Sequence, residues 1–414
     1  MSTPENAGAP PLVLAGGHIF DDASRTFGRA DVAVRGGRIE SIAAGPAPET
    51  PGLRIDCSGK FITPGLIDCH VHLTASGNPT ELNAAASEPL ALRAWKAATY
   101  ARQTVMAGIT TVRDLGAADQ LNIHLANAVA SGLIPGPRIL AAGLGVTMTG
   151  GHGHGFIAVE ADGPDAIRKA VREQLRAGAG AIKLFASGGV MTPGVDPRSP
   201  SLTEDELRAG VEEAHKAFRV VGAHAQATDG IKNAIRAGVD SVEHGVWLDD
   251  EAIALMKERG TYLVATYTAP WQIAHRGVEA RIPPYMVEKA WQVLESHERS
   301  IRAAIAAGVL IAMGTDQGTP MNHPGENAQE TIRLASLGLS PAAALLASTA
   351  WAADLLKLDA ETGRIRAGLA ADLLVLDADP LVDIGVLANQ SAIRAVVQAG
   401  VPVRHSLPDT EGNT

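Results

Sequence analysis

The chain has 414 residues, enough for one large domain and a smaller one, and its 46% hydrophobic and 19% charged residues are typical of globular proteins. A net charge of −10 without a basic stripe argues against a nucleic-acid-binding surface. No apolar run has the length of a membrane-spanning helix, so a membrane protein is not expected either.

The N-terminus and the cysteines indicate a cellular compartment. Residues 1–8 have neither a basic start nor an apolar stretch, so they are not expected to act as a signal peptide. Cys57 and Cys69 are too few for a disulfide framework. We therefore expect a cytoplasmic protein in a reducing environment.

Short strands bounded by turns are predicted at both ends of the chain. Glycine pairs, Gly16-Gly17 and Gly36-Gly37, are expected to divide the first ones. The predicted strands are Leu12–Leu14, Asp31–Val34, Arg38–Ile42, Asp372–Leu376 and Ile393–Val397. Because both ends share this pattern, we predict a small β-sandwich domain built from residues 1–63 and 361–414.

Between them, residues 64–360 alternate helical segments with short apolar strands, and a glycine often follows the helix as an αL cap. The strands are predicted within eight segments, five of which begin with the end of the preceding helix and its glycine: Leu66–His72, Met106–Asp114, Arg138–Gly143, Arg176–Lys183, Val221–Gln226, Arg236–His244, Arg259–Thr266 and Ala307–Asp316. This alternation predicts an α/β fold, and the count is that of a (β/α)8 TIM barrel. A doubly wound sheet is the alternative, but no strand is followed by Gly-x-Gly-x-x-Gly.

Two histidines, His70 and His72, end the first strand of this region. Side chains two residues apart on a strand point to the same face, so the two rings can bind one metal ion together. Alone the pattern is weak, because His-x-His also arises by chance.

Other polar residues lie at the ends of later strands in the predicted barrel. They are Lys183, His224, His244 and Asp316. The carboxyl ends of barrel strands meet at one mouth, so these side chains are expected to converge with the two histidines. Each alone could be an ordinary polar residue at a strand end, but together they predict a metal site.

Lys183 lies within an apolar strand, where burial lowers the pKa of an amine. A neutral amine can add carbon dioxide, and the resulting carbamate can bridge two cations. A lysine paired with a carboxylate is the alternative.

Further motifs accompany the pattern Asp68-x-His70-x-His72. They are Thr149–Gly153 (TGGHG), Ile182–Val190 (IKLFASGGV), Asp196–Ser199 (DPRS), Ala223–Ala225 (AHA) and Ser241–Gly245 (SVEHG). With these motifs the chain resembles the metal-dependent amidohydrolase superfamily, in the imidazolonepropionase-like and Xaa-Pro dipeptidase (prolidase) branch that includes ochratoxin-type amidases. The resemblance extends over nearly the whole chain and implies the barrel with its small β-domain.

The resemblance also implies a binuclear metal centre. His70, His72 and Asp316 would hold one divalent ion, His224 and His244 the other, and a carboxylated Lys183 would bridge them. Zinc is the expected metal, with manganese, cobalt and iron left open.

The implied activity is hydrolysis of an amide whose leaving group is an amino acid: a dipeptide, an Xaa-Pro peptide, an N-acyl amino acid or an ochratoxin-like amide. A hydroxide bridging the metals would attack the carbonyl, with Asp316 as general base and then general acid. His152 would stabilise the oxyanion, and His154 is its local competitor.

In related dipeptidases, a tyrosine and a histidine in the loop after strand seven contact the terminal carboxylate of the substrate. Tyr267 and His275 are the matching residues, and a tyrosine that only packs is the alternative. The expected partner is a small molecule with an amide bond and a free carboxylate, not nucleic acid or a membrane. By resemblance we also expect a homo-oligomer, up to an octamer.

Three rival functions follow from the same pattern. Cyclic amides of the imidazolonepropionase type are one alternative class of substrate, and carbamates or phosphotriesters are another. A non-catalytic scaffold would be expected to have lost metal ligands, whereas every ligand position is filled here.

Overall fold

Strands and helices alternate through the middle of the chain. The structure is a computed structural model that describes residues 10–45, 52–82, 84–407 and 409–410. The prediction of an α/β fold is therefore confirmed. The strands are β1 (Leu12–Asp21), β2 (Thr26–Arg35), β3 (Arg38–Ala43), β4 (Leu53–Asp56), β5 (Phe61–Pro64), β6 (Leu66–Val71), β7 (Ile109–Asp114), β8 (Arg138–Ala141), β9 (Gly145–Thr147), β10 (Ala158–Glu160), β11 (Ala181–Phe185), β12 (Val220–Ala225), β13 (Ser241–His244), β14 (Tyr262–Val264), β15 (Leu373–Leu376), β16 (Ile393–Gln398), β17 (Val401–His405) and β18 (Asp409–Thr410).

The helices pack around the strands of the middle region. They are α1 (Ala84–Ser87), α2 (Leu90–Met106), α3 (Leu121–Ala130), α4 (Pro164–Ala177), α5 (Glu204–Lys216), α6 (Thr228–Ala237), α7 (Asp250–Arg259), α8 (Thr268–Arg276), α9 (Pro284–Ala307), α10 (Ala328–Ser336), α11 (Pro341–Ala347) and α12 (Ala350–Leu355). Over the described part of the chain, none of them has the length and apolar character needed to span a bilayer.

Strands from both ends of the described chain lie in one nine-stranded sheet. Its order is β17-β16-β15-β5-β1-β2-β3, and β4 pairs with both β1 and β18. β1 is longer than expected, because it continues through Gly16-Gly17 with a bulge instead of ending there. Gly36-Gly37 forms the turn between β2 and β3, as the sequence indicates. Buried apolar side chains such as Leu14, Ile55 and Val375 form a separate core here.

The strands of the middle region form two further sheets, whose pairs are all parallel. One has the order β6-β7-β8 and the other β10-β9-β11-β12-β13-β14. A hydrogen bond of 2.8 Å from Gly180 N to Ala141 O links the two at one side. At the other side, the backbone of residues 310–317 bonds to both β14 and β6.

The strand predicted after the helix end at Ala307-Gly308 departs from the prediction. Helix α9 continues to Ala307, and the residues after it make single bridges, Leu263 with Ile311 and Val71 with Gln317, instead of a regular ladder. The segment still connects its neighbours, since Leu263 N donates to Leu310 O and Cys69 N donates to Met313 O, both at 2.8 Å. It therefore carries Asp316 to the end of β6.

Candidate active site

A cavity lies at the carboxyl ends of the parallel strands. Seven of the residues predicted for the site line it: His70, His72, His152, Lys183, His224, His244 and Asp316. Apolar side chains form much of the remaining wall, among them Leu82, Phe156, Met191, Val246, Ile273 and Val293. The cavity thus joins a polar group of metal-ligand types to an apolar surface.

His70, His72 and Asp316 form a triad at one side of this cavity. One possible ligand atom of each lies within 4.8 Å of the others, and no second group of three or more His, Cys, Asp or Glu was found so close within the described ranges. Asp316 Oδ1 is 3.4 Å from His70 Nε2 and 3.2 Å from His72 Nε2. His72 Nδ1 donates to Gly116 O at 2.9 Å, which leaves Nε2 as its ligand atom. The triad has the geometry of a metal-binding group.

His224 and His244 come from the neighbouring strands β12 and β13, and their ring centroids are 4.4 Å apart. His224 Nε2 bonds to Gly188 O at 2.8 Å, and His244 Nδ1 contacts Thr266 Oγ1 at 2.6 Å. The ligand atoms that remain are Nδ1 of His224 and Nε2 of His244. Burial lowers the pKa of both rings well below the usual range, so each is neutral and offers a lone pair.

Lys183 lies on β11 and is 2% exposed. Its Nζ atom has no hydrogen-bond partner among the described residues. Burial lowers the pKa of this amine to about 8, although Glu243 and Asp316 act in the opposite direction. A buried amine without a partner is unfavourable as it stands, so a further group is needed to satisfy it.

Asp316 is held in place by its own backbone and by the hydrogen bonds that the buried carboxylate of Asp68 makes to neighbouring residues. Its φ of 56° lies in the left-handed region, a strained conformation for a non-glycine residue, and its N–H donates to His70 O at 2.7 Å. Asp68 accepts hydrogen bonds from the backbone of His70 and Thr315 and from the Asn327 amide. Burial alone would raise the pKa of Asp316, but its cationic and imidazole neighbours lower it overall.

His152 projects from the glycine-rich loop after β9 toward His224, with ring centroids 4.5 Å apart. Thr192 Oγ1 accepts a hydrogen bond from Gly153 N and lies 2.8 Å from His152 Nδ1. Burial lowers the pKa of the His152 ring to about 3, so the ring stays neutral. His154 bonds to Gly151 O and does not line the cavity.

Tyr267 and His275 are not among the residues that line the cavity. The segment expected to be a loop forms helix α8. Ile273 of this helix lines the cavity, whereas His275 stacks on Trp271 at the surface, with ring centroids 4.2 Å apart. The Tyr267 hydroxyl donates to Glu298 Oε2 at 3.1 Å. The structure therefore does not bring these two residues together with the others.

Gln226 and His297 are two polar residues of the cavity that the sequence did not single out. Gln226 immediately follows β12, is 6% exposed, and its Oε1 atom has no partner in the described part of the chain. Its place two residues after His224 on the same strand segment was the available signal. His297 comes from α9 and bonds to His244 O at 2.8 Å, and no local pattern indicated this contact.

Comparisons with known proteins agree with this geometry. Residues 61–403 match the Amidohydrolase family. The chain is similar to ochratoxinase from Aspergillus niger, with 33% identity over 373 residues that cover 82% of this chain and 75% of that protein. Imidazolonepropionase from Sphingopyxis alaskensis is 31% identical over 392 residues, 84% of this chain and 86% of its own. The crystal structure of a prolidase complexed with N-methylphosphonate-L-proline has a TM-score of 0.89 and 34% identity, covering 95% of this chain and all of that one.

Proposed function

The chain belongs to the amidohydrolase family and is a hydrolase that acts on amides, and from this premise we propose that it cleaves an amide whose leaving group is an amino acid. Dipeptides, Xaa-Pro peptides, N-acyl amino acids and ochratoxin-like amides are the candidate substrates, in keeping with the prolidase and ochratoxinase relatives. The observation that carries the proposal is the cavity in which the imidazoles, Lys183 and Asp316 lie beside an apolar wall. An apolar wall suits an acyl group or an apolar side chain.

We propose that the middle strands form a (β/α)8 barrel. Its eighth position would be residues 310–317, whose hydrogen bonds to β14 and β6 support closure. The small domain would be a β-sandwich of residues 1–63 and 361–414, with the barrel over 64–360.

The residues present fit two divalent ions. His70, His72 and Asp316 would hold one, and His224 and His244 the other, because each imidazole has one ring nitrogen left for a ligand. Such ions would lower the pKa of bound water and polarise the carbonyl of the amide. Zinc is proposed as the metal because imidazole and carboxylate donors suit it.

A carboxylated Lys183 would satisfy the amine that has no partner in the structure. The neutral Nζ attacks carbon dioxide, one N–C bond forms, and one proton leaves to solvent. The product is a carbamate with one negative charge and two oxygen atoms. This anion would take the place of the ammonium form, which would repel divalent ions, and its two oxygen atoms would suit it to hold them.

Proton transfer is assigned to Asp316 and oxyanion stabilisation to His152. The carboxylate of Asp316 accepts a proton from the attacking water and passes it to the leaving amine. His152 is neutral, and with Thr192 Oγ1 donating to its Nδ1 atom the ring proton would lie on Nε2, from which it would donate a hydrogen bond to the oxygen of the tetrahedral intermediate.

Replacing His152 by alanine is expected to lower kcat by about 10²-fold, because one oxyanion donor is lost. The metal content should stay that of the parent, since His152 is not proposed as a ligand. Gly189→Ala offers a matched variant, because a Cβ there would lie 2.6 Å from His152 Nε2 and displace the ring. Steady-state kinetics that show no fall in kcat for His152→Ala would contradict the assignment.

The proposed contacts of Tyr267 and His275 with the substrate carboxylate need a separate test, since neither residue lines the cavity. If Tyr267 binds the carboxylate, Tyr267→Phe raises KM for substrates with a free carboxylate and not for the matching amides. An equal KM for both substrate types in the variant and the parent would remove Tyr267 from the site.

We further propose that the protein forms a homo-oligomer, up to an octamer, in the cytoplasm. Its expected partner is a small-molecule substrate. The activity itself is tested with a panel of dipeptides and N-acyl amino acids that vary in the C-terminal residue, with metal analysis of the same sample. A cyclic amide, a carbamate and a phosphotriester belong in that panel. Turnover of these alone would favour the alternative function.

A further inference from the structure

Two buried charges, Arg113 on β7 and Glu243 on β13, have no role in the proposed function. Both are fully buried, and neither lines the cavity. Arg113 Nη2 donates to Glu243 Oε1 at 2.7 Å. A buried ion pair is often no more stabilising than apolar side chains of the same volume. Stability alone therefore does not explain why this ion pair is buried here.

Glu243 also contacts a residue of the metal-binding triad. Its Oε2 atom is 2.9 Å from His70 Nδ1. An ionised carboxylate only accepts hydrogen bonds, so the ring proton must lie on Nδ1 and the lone pair on Nε2. That Nε2 atom is the one 3.4 Å from Asp316 Oδ1.

We propose that Glu243, itself held by Arg113, is a positioning residue that fixes the tautomer and orientation of His70 as a metal ligand. The inference rests on the proposed metal centre. Carboxylates in this position orient histidine ligands and make them more basic.

The surrounding contacts hold the carboxylate in one orientation. Ser241 Oγ donates to Glu243 Oε1 at 2.5 Å, and Arg113 Nη1 donates to that same hydroxyl at 3.0 Å. Arg113 Nε donates to Cys69 O at 2.7 Å, next to His70 in the chain. The guanidinium thus fixes both the carboxylate and the backbone of the strand that carries the ligand.

Gly222 on β12 leaves the space that this pair occupies. A Cβ atom there would lie 2.7 Å from Glu243 Oε1 and 3.3 Å from Arg113 Nη1. Gly222→Ala should therefore displace the carboxylate without removing any charge or any proposed ligand. It provides a second, independent variant with which to test the inference.

The test is the affinity of the metal-free protein for zinc, measured by competition with a chromophoric chelator. Glu243→Gln keeps the shape of the side chain but places an amide N–H group against Arg113 or His70. We expect this variant and Gly222→Ala to bind zinc about 10- to 100-fold more weakly than the parent. Asp372→Asn is the matched control, because it also breaks a largely buried pair, in which Asp372, just before β15, accepts from Arg138 on β8 at 2.9 Å. Its zinc affinity should equal that of the parent.

If Glu243→Gln and Gly222→Ala both bind zinc with the affinity of the parent, the inference is overturned, while the proposed metal centre is not contradicted. A parent protein that binds no zinc would instead overturn the proposed function, and this inference with it. If Glu243→Gln does not fold, Gly222→Ala decides. Nitrogen-15 shifts of His70 in the metal-free parent give an independent readout: a proton on Nδ1 supports the proposal, and a proton on Nε2 overturns it.

Discussion

Asp316→Asn should reduce kcat by about 10³-fold, because the amide can neither take the proton from water nor return it to the leaving amine. The side chain lies at the end of the segment that joins β14 to β6, and its Oδ1 atom faces His70 and His72. The asparagine carbonyl oxygen keeps a ligand atom in this place. We therefore expect the fall in kcat to exceed any loss of metal.

Two measurements separate these effects. Metal analysis of Asp316→Asn shows whether the centre is retained, and steady-state kinetics at saturating metal then isolate the chemical step. A kcat within about tenfold of the parent value would show that Asp316 is not the proton carrier. A variant without metal would instead assign Asp316 chiefly to metal binding.

Lys183→Met should lower the metal content toward one ion per chain and reduce turnover by on the order of 10³-fold, equal to about 4 kcal/mol of transition-state stabilisation. Methionine fits the buried apolar strand, so folding should be retained. The smaller variant Lys183→Ala leaves space for a free carboxylate. Added acetate or propionate is expected to restore part of the turnover, because it supplies the two bridging oxygen atoms of the lost carbamate.

Lys289→Met is the matched control for this experiment. Lys289 is a lysine near the cavity that is only partly buried, and its Nζ donates to the carbonyl oxygens of Gly189, Thr192 and Val195 at 3.3, 2.7 and 2.5 Å. Its removal should leave the metal content unchanged and give no response to acetate. A Lys183→Met protein with two metal ions and parent turnover would contradict the bridging role.

The α/β fold could be predicted because its signal is local. Along the sequence, helical segments that end in glycine alternate with short apolar strands, and alternation of this kind gives parallel strands. The same alternation predicts a strand at residues 310–317, but its single bridges could not be predicted, because they depend on neighbours distant in the chain. The glycine pair in β1 was misleading, since a bulge accommodates it within the strand.

The candidate site could be predicted where its residues end strands. Parallel strands bring their carboxyl ends to one edge, which is why Lys183, His224 and His244 line one cavity. The substrate contacts of Tyr267 and His275 rest on resemblance to a loop of related dipeptidases and stay a prediction, since Tyr267 precedes helix α8, His275 lies within it, and neither lines the cavity. Contacts such as that of Glu243 with His70 depend on packing between strands far apart in sequence.

The central claim, a binuclear metal hydrolase for amides of amino acids, is tested most directly by one titration. Metal-free protein is supplied with zinc in steps while the release of the amino acid from the best panel substrate is followed. The activity is expected to rise until about two zinc ions are bound per chain and then to stay constant. Full activity in the metal-free protein, unchanged by added zinc, would contradict the central claim.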